Sequence, residues 1–211
     1  TVSPPRSPML HTAVTQPPRS APPPQRVSVL KRNCPKERAP PYAAAVITTG
    51  SEVAKGRIPD SFTPVVERKL AAFGIRMTEH ILVEDGQENV LTAIEQMKRR
   101  PVDMILCTGG MSVDPDDSTP GAIKASGADI VTYGAPVLPG AMFLLGYYGD
   151  GRPVMGLPGC VMYAKATIFD LVLPRIAADV RLEKRDFVAF GEGGLCLGCE
   201  SCTYPHCGFG R

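Results

Sequence analysis

Short apolar runs alternate with amphipathic stretches from residue 43 to residue 176. The apolar runs predict strands at Ala43–Thr49, Ile75–Val83, Met104–Thr108 and Val154–Gly156, and strands or extended segments at Ile130–Tyr133 and Met142–Tyr147. The amphipathic stretches predict helices at Asp60–Phe73, Gln87–Arg99 and Met162–Leu173, and a further helix that begins near Thr119–Pro120. This alternation predicts an α/β fold in three layers, with a mostly parallel sheet and helices on both faces.

The first 41 residues differ in composition from the rest of the chain. They contain eleven of the 22 prolines, and seven Lys or Arg residues against one acidic residue, Glu37. Proline-rich polar segments favour extended and solvated conformations. We therefore expect a basic leader at residues 1–41 that is mostly disordered or ordered only by packing. We further expect one domain at residues 42–180 and a Cys-rich C-terminal tail at residues 181–211.

Two classes of partner are disfavoured by the sequence. No apolar run approaches the roughly 20 residues that span a bilayer, and residues 1–41 contain no continuous apolar stretch of the secretory type. The basic residues of the leader have no aromatic side chains between them, and aromatic rings are what stacks on nucleic-acid bases. We therefore expect a cytoplasmic protein without a membrane or nucleic-acid partner.

Three glycine-bearing turns each follow a predicted strand directly. They span Thr48–Glu52, Gly109–Ser112 and Gly156–Gly159, and three aspartates come just after the second turn, within residues 114–117. If the strands are parallel, their carboxyl ends meet at one edge, where open α/β sheets bind anionic ligands. Free backbone amides at such an edge can hold phosphate, and carboxylates can hold a cation. The three turns together predict a ligand site.

The motifs of this segment resemble those of the molybdopterin-binding domain family. That family includes molybdopterin adenylyltransferases, the catalytic domain of molybdopterin molybdotransferases, and an amidase-associated relative. The matching motifs are T-T-G-S-E (48–52), I-P-D-S (58–61), V-E-D-G (83–86), C-T-G-G-M-S-V (107–113), D-D-S-T-P (116–120), L-P-G (138–140) and G-L-P-G (156–159). They occur in the family's order and at about its spacing. The resemblance implies a molybdopterin ligand, a magnesium ion, ATP as a co-substrate, and self-association as a dimer or trimer.

The resemblance also implies roles for particular residues. Ten residues match positions that contact the cofactor in the family: Thr49, Gly50, Ser51, Gly109, Gly110, Ser112, Gly140, Gly156, Pro158 and Gly159. Asp117, Asp85 and Glu52 match acidic positions, which we expect to be catalytic, and Asp117 and Asp85 would be Mg²⁺ ligands. A helix cap is an alternative role for Asp85, and a solvent-facing acid is the alternative for Glu52.

Several positions depart from the family pattern. The molybdotransferases usually have lysines on both sides of this Pro-Gly, where this chain has Leu138 and Ala141, which puts metal insertion in doubt. Cys160 stands where most relatives have asparagine, and it would be either an inert thiol or a contact to the metal or the dithiolene. Asp114 replaces a common glycine and would either bind a cation or repel an anionic ligand.

Four of the seven cysteines lie close together in the C-terminal tail, as Cys196, Cys199, Cys202 and Cys207. Four thiolates at this spacing fit a tetrahedral zinc site or an iron–sulfur cluster, although the last spacing differs from the ferredoxin run. His206 is an alternative ligand. The competing hypotheses are a disulfide-linked tail and a reduced flexible tail. A metal-bound tail would be suited to docking a partner such as a molybdoenzyme, or to sensing redox state.

Three hypotheses for function follow from these patterns. The first is an enzyme of molybdenum cofactor biosynthesis that transfers an adenylyl group to the pterin phosphate or inserts molybdenum with magnesium. The second is a non-catalytic molybdopterin carrier whose tail docks a partner. The third is a domain that has lost pterin binding and serves another nucleotide ligand or a scaffold, since one fold can host many functions.

Overall fold

A computed structural model describes residues 42–112 and 118–211. Within these ranges the chain forms six strands: β1 (Ala43–Thr49), β2 (Arg76–Val83), β3 (Met104–Thr108), β4 (Asp129–Tyr133), β5 (Leu144–Tyr147) and β6 (Pro153–Leu157). All six correspond to predicted strands or extended segments, and β1 and β3 have the predicted bounds. The predicted leader at residues 1–41 lies outside the described residues, as do Asp114, Asp116 and Asp117.

The six strands form a single sheet with the order β2-β1-β3-β6-β5-β4. Neighbouring strands among β2, β1, β3 and β6 are parallel. Strand β5 is antiparallel to both of its neighbours. The prediction of a mostly parallel sheet is therefore confirmed, and the carboxyl ends of five strands, all but β5, lie at one edge.

Helices cover both faces of the sheet. The α-helices are α1 (Ser51–Ala54), α2 (Thr63–Ala71), α3 (Gln87–Lys98), α4 (Thr119–Ala125), α5 (Ile168–Ala177) and α6 (Lys184–Ala189), and two 3₁₀ segments span Gly159–Met162 and Phe190–Gly193. Among the described residues, none of these helices is long and apolar enough to cross a membrane.

The predicted helix at Met162–Leu173 is wrong in its position. The chain makes a 3₁₀ turn that ends at Met162, and α5 begins only at Ile168. Thr167 caps α5, because its hydroxyl accepts a hydrogen bond from the Phe169 amide while the Asp170 carboxylate accepts one from the Thr167 amide. This reciprocal cap fixes where the helix begins. Apolar spacing alone placed the start too early.

Two hydrophobic clusters lie on the two faces of the sheet. Strand β1 places Ala44 and Val46 in one cluster and Ala45 and Ile47 in the other, as alternation along a strand requires. The first cluster includes apolar residues of α2, α5 and α6, and the second includes those of α3 and α4. The three-layer prediction is confirmed.

The C-terminal tail contributes to the first of these clusters. Leu182, Phe187, Phe190 and Phe209 are each at most 5% exposed. The Phe187 ring centroid lies 6.0 Å from that of Phe143 and 5.9 Å from that of Phe190. The tail therefore packs on the sheet and shares its core.

Candidate functional site

The candidate site is the edge of the sheet where β1, β2, β3 and β6 end. We call it the glycine edge and define it by residues 48–52, 84–86, 108–112 and 157–160. The strands end level with one another, because Thr48 is paired with both Leu82 and Thr108, and Thr108 is paired with Leu157. The turns that follow the strands are therefore neighbours in space.

The first and second turns are in direct contact. The Thr49 hydroxyl donates a hydrogen bond of 3.2 Å to the carbonyl of Thr108. Gly109 has φ of 85°, and a Cβ at this position would overlap the carbonyl and hydroxyl oxygens of Thr49. Glycine is thus required at position 109 both by its backbone conformation and by the close approach of β1.

The second turn presents its backbone at the glycine edge. Gly110 has φ of 56°, and the Thr119 hydroxyl donates a 2.9 Å hydrogen bond to the Gly109 carbonyl. Among the loop hydrogen bonds that join backbone groups of the described residues, none has an amide of residues 109–112 as its donor. Ser112 is exposed. Amides and a hydroxyl in this arrangement are suited to holding a phosphate group.

A buried hydroxyl beside this turn was not predicted from the sequence. Thr108 is fully buried, and its Oγ1 atom has no hydrogen-bond partner within the part of the chain that the structure describes. Buried hydroxyls are rarely left without a partner. Its neighbour in sequence, Gly109, starts the turn, so this hydroxyl is a candidate contact for a ligand or a water molecule.

The acidic residues of the glycine edge have different surroundings. The Asp85 carboxylate accepts a 2.8 Å hydrogen bond from the Ser51 amide, and the Asp85 amide donates to the Ser51 hydroxyl at 3.3 Å. This pair ties the turn after β2 to α1, while the side chain of Asp85 stays exposed. Glu52 is also exposed, in the first turn of α1. Asp117 lies outside the described residues.

The remaining predicted site residues divide into exposed and packed positions. Gly159 is exposed in the turn that follows β6, after the buried Pro158. Gly156 lies within β6, where a Cβ would come within 2.5 Å of the Met111 side chain. Gly140 is buried, and a Cβ there would overlap Ile168. Gly156 and Gly140 thus each have a packing role that is independent of a ligand.

A polar network that the sequence analysis missed lies beneath the first turn. The Nε2 atom of His80 is 3.2 Å from the Thr48 hydroxyl and 3.0 Å from the Thr63 hydroxyl. The same Nε2 atom is 3.5 Å from the Asp60 carboxylate, which also accepts a hydrogen bond from the Thr63 hydroxyl. This network joins β1, β2 and the start of α2. Only the sheet pairing brings His80 to Thr48, so no sequence pattern could have revealed it.

Asp60 is held in its ionised form by this network. Burial alone would raise the pKa of Asp60, but hydrogen bonds from Thr63 and Phe62 and the charge of His80 outweigh that effect. The pKa therefore lies below its ordinary value of 3.8. Asp60 also fixes the turn that leads into α2, since its carboxylate accepts from the Phe62 and Thr63 amides at 2.9 and 3.0 Å. The I-P-D-S motif supplies this aspartate.

The four cysteines of the C-terminal tail are not assembled as a metal site. Cys199 and Cys202 are exposed, whereas Cys196 and Cys207 pack partly against the core. Among the described residues, no three His, Cys, Asp or Glu side chains are gathered closely enough to hold a metal ion. In this conformation the tail is held by its aromatic and glycine residues instead.

Most of the chain matches a known protein family. Residues 45–178 match the family described as "Probable molybdopterin binding domain". The chain belongs to this family. The match spans more than half of the chain, includes the whole glycine edge, and ends before α6.

Curated relatives share part of this domain. One of them is the "Putative competence-damage inducible protein" of Bacillus cereus (strain AH187), which is 33% identical over 90 residues. That alignment covers 43% of this chain and 22% of the relative. The chain thus matches only about a fifth of the relative's length.

Solved structures confirm the fold. The tungsten cofactor synthesizing protein MoaB from Pyrococcus furiosus is 20% identical with a TM-score of 0.53, and the alignment covers 68% of this chain and 100% of that chain. The molybdopterin biosynthesis Mog protein from Mycobacterium ulcerans is 22% identical with a TM-score of 0.54, covering 67% of this chain and 100% of that chain. At these identities the likeness concerns the fold alone.

Proposed function

We propose that the glycine edge binds molybdopterin through its phosphate group and that the protein takes part in molybdenum cofactor biosynthesis. The observation that carries this proposal is the Gly109–Ser112 turn. Its two glycines have left-handed φ angles, and none of its amides is the donor in a described loop hydrogen bond. The unpartnered Thr108 hydroxyl adds a further polar group. Membership of the molybdopterin-binding family supports this choice of ligand.

We infer that the reaction, if catalysed, is adenylyl transfer from ATP to the pterin phosphate or insertion of molybdenum. Both require placement of anionic groups and neutralisation of their charge, without a covalent intermediate on the protein. The Ser51 amide orients Asp85 toward this edge. Asp85 and Asp117, with Glu52, would hold Mg²⁺, which neutralises phosphate charge when it is bound.

Binding is tested by titrating the protein with metal-free molybdopterin under anaerobic conditions and following the pterin spectrum. Ser112→Ala removes one hydroxyl from an exposed position, so folding is unaffected and affinity falls about three- to tenfold. The matched control is Ser201→Ala, an exposed serine of the C-terminal tail. A titration in which the unsubstituted protein binds no pterin contradicts the proposal.

Catalysis is tested by turnover with ATP, molybdopterin and magnesium. Asp117→Ala and Asp85→Ala should each abolish product formation while the circular dichroism spectrum stays unchanged. Asp129→Ala is the control, because Asp129 is an exposed acid at the opposite end of the sheet, level with Tyr147 at the end of β5. Full activity of Asp117→Ala would refute the proposed role of this residue.

A non-catalytic carrier is the second candidate. It is favoured by the residues on either side of Pro139–Gly140, where an exposed leucine, Leu138, and Ala141 replace the lysines that would attract molybdate. In this case the protein would hand molybdopterin to a partner such as a molybdoenzyme. Tight pterin binding without product in the turnover assay would select the carrier over the enzyme.

We also propose that the protein self-associates as a dimer or trimer. Strand β2 lies at the end of the strand order, and its outer side has no paired strand within the described ranges. Such an edge can pair with another chain. Light scattering at several protein concentrations tests this proposal, and a mass equal to one chain throughout would contradict it.

A further inference from the structure

We propose that the C-terminal tail positions the Leu138–Gly140 turn against the first turn of α5. This inference rests on the proposed function, because Gly140 is among the residues predicted from the sequence to contact the pterin. The family match ends at residue 178, and the tail contacts described below lie beyond it, at residues 194–210. The tail would thus act on the matched domain from outside its bounds.

The tail pairs with both backbone groups of Leu138. The Leu138 amide donates a 2.6 Å hydrogen bond to the Gly194 carbonyl, and the Leu138 carbonyl accepts a 2.8 Å hydrogen bond from the Cys196 amide. These two bonds form a short parallel bridge between Leu138 and Leu195. A Cβ at Gly194 would overlap the Pro136 carbonyl, so the two chain segments lie as close as a glycine allows. The position of residue 138 is therefore set by the tail.

The Leu138–Gly140 turn then meets α5 at a single residue. The Ile168 amide, the first of α5, donates a 3.2 Å hydrogen bond to the Pro139 carbonyl. Gly140 has φ of 123°, and a Cβ there would overlap the Ile168 side chain and lie 3.0 Å from its amide nitrogen. The turn and the helix are therefore in direct contact, with no room for a side chain at residue 140.

The tail also holds the first turn of α5. The Tyr204 hydroxyl donates a 2.8 Å hydrogen bond to the Asp170 carbonyl. The Tyr204 ring lies edge-on to the ring of Phe209, with centroids 6.1 Å apart, and Phe209 is 5% exposed. Gly210 lies against Leu171, where a Cβ would not fit. The tail therefore contacts α5 as well as the Leu138–Gly140 turn that packs on this helix.

The tail thus contacts both the Leu138–Gly140 turn and α5, which pack on each other at Gly140. We call this set of tail contacts the clamp. Its residues 194–196 fix Leu138, and its residues 204–210 fix α5, so both sides of the contact at Gly140 depend on the tail. The same helix follows the Pro158–Cys160 turn of the glycine edge. Tyr204 and Cys196 would therefore be positioning residues, which act on the ligand site through the Leu138–Gly140 turn and α5.

The test uses two variants and two matched controls in the full chain. Tyr204→Phe removes only the hydroxyl that reaches Asp170, and Cys196→Pro removes the amide that reaches Leu138. Tyr163→Phe and Leu197→Pro are the controls, since Tyr163 and Leu197 are each 81% exposed and their hydroxyl and amide make no described hydrogen bond. Tyr204→Phe changes a single atom, so it remains informative if the proline variant folds poorly.

Hydrogen exchange and pterin titration are measured on each variant. We expect faster exchange of the Leu138 and Ile168 amides in both test variants, unchanged exchange of the central Leu106 amide, and metal-free molybdopterin affinity about three- to tenfold lower. The controls should match the unsubstituted protein in both measurements. A merely stabilising role would change exchange throughout the domain and leave the affinity of the folded protein unchanged.

Two results would overturn the clamp. Unchanged exchange at Leu138 and Ile168 would show that the tail does not hold the turn. Faster exchange with unchanged pterin affinity would show that the turn's position does not matter for the ligand. Absence of pterin binding by the unsubstituted protein would instead refute the proposed function, and the exchange measurement alone would then decide whether the tail holds the turn.

Discussion

The glycine edge and the C-terminal tail carry the two densest groups of motifs in the chain, and the structure uses them differently. At the glycine edge the motif residues contact one another: Thr49 packs on Gly109, and Ser51 bonds to Asp85. In the tail the conspicuous cysteines are partly or fully exposed, and Tyr204 and Phe209 make the holding contacts.

This difference shows what kind of motif predicts geometry. A glycine that follows a strand requires a particular backbone conformation, so its position already restricts the local structure. A series of thiols requires nothing of the backbone and indicates only that a metal can be bound. The glycine turns therefore appeared where the motifs placed them, whereas the four thiols were not gathered.

The largest effect is expected in the segment beyond the family match. Phe187→Ala should cost about 3–5 kcal/mol of unfolding free energy, because Phe187 is 1% exposed and stacks against Phe143. Val188→Ala, at a 64% exposed position of the same helix, should change stability by less than about 0.5 kcal/mol. Urea unfolding measures both. Similar values for the two variants would mean that this segment is not part of the core.

The next effect is expected at the glycine edge. Gly109→Ala should destabilise the fold by about 1–3 kcal/mol more than Gly74→Ala, since both positions have left-handed φ but only Gly109 lies against Thr49. Nothing lies within 4 Å of a Cβ at Gly74, so that variant isolates the backbone cost. Thermal and urea unfolding of the pair would show equal losses if the close approach of the two turns were absent.

A smaller effect on stability is expected when the pH is lowered. The folded pKa of Asp60 lies below its ordinary value of 3.8, so its contribution to stability is present above that pH and is lost as pH falls through the folded pKa. Asp60→Asn should therefore lower stability by about 1 kcal/mol at neutral pH and lose less on acidification.

Asp150→Asn is the comparison for this measurement. The pKa of Asp150 is also lowered: burial raises it, and hydrogen bonds and the charge of Arg152 outweigh that effect. Its side chain is 51% exposed against 15% for Asp60, so solvent screens its interactions and the substitution should change stability less. Urea titrations from about pH 6 to pH 2.5 would contradict the role of Asp60 if the two variants behaved alike.

The smallest effect on stability is expected for the exposed thiols. Cys199→Ser and Cys202→Ser should each change the free energy of unfolding by less than about 0.5 kcal/mol. The same two thiols should react quickly with an alkylating agent, whereas Cys107 should not react, because burial raises its pKa to about 12. Mass spectrometry of the labelled peptides measures the difference.

The alkylation experiment also tests the predicted metal in the tail. Zinc, or reconstitution of an iron–sulfur cluster without oxygen, should protect all four thiols from Cys196 to Cys207 if the tail can rearrange around the metal. Labelling that is unaffected by either treatment would show that the metal prediction is wrong. Such a result would leave the tail as a packing element, as the described conformation has it.

The strands were largely predictable from sequence, and the start of α5 shows where that predictability failed. A buried parallel strand must be a continuous apolar run, so Met104–Thr108 could be delimited to the residue. The start of α5 was misplaced because residues 162–167 are apolar enough to resemble a helix. The Thr167-to-Asp170 spacing is a readable capping signal that outweighs that pattern.

By itself, the sequence determined the fold class, the glycine turns and the family, since each depends on local spacing and on residues with special backbone requirements. Tertiary structure alone decided that His80 reaches Thr48 and Asp60, that the Thr108 hydroxyl is buried without a described partner, and that Tyr204 holds α5. These contacts join segments far apart in the chain. Their formation depends on sheet order and side-chain packing, which no local pattern encodes.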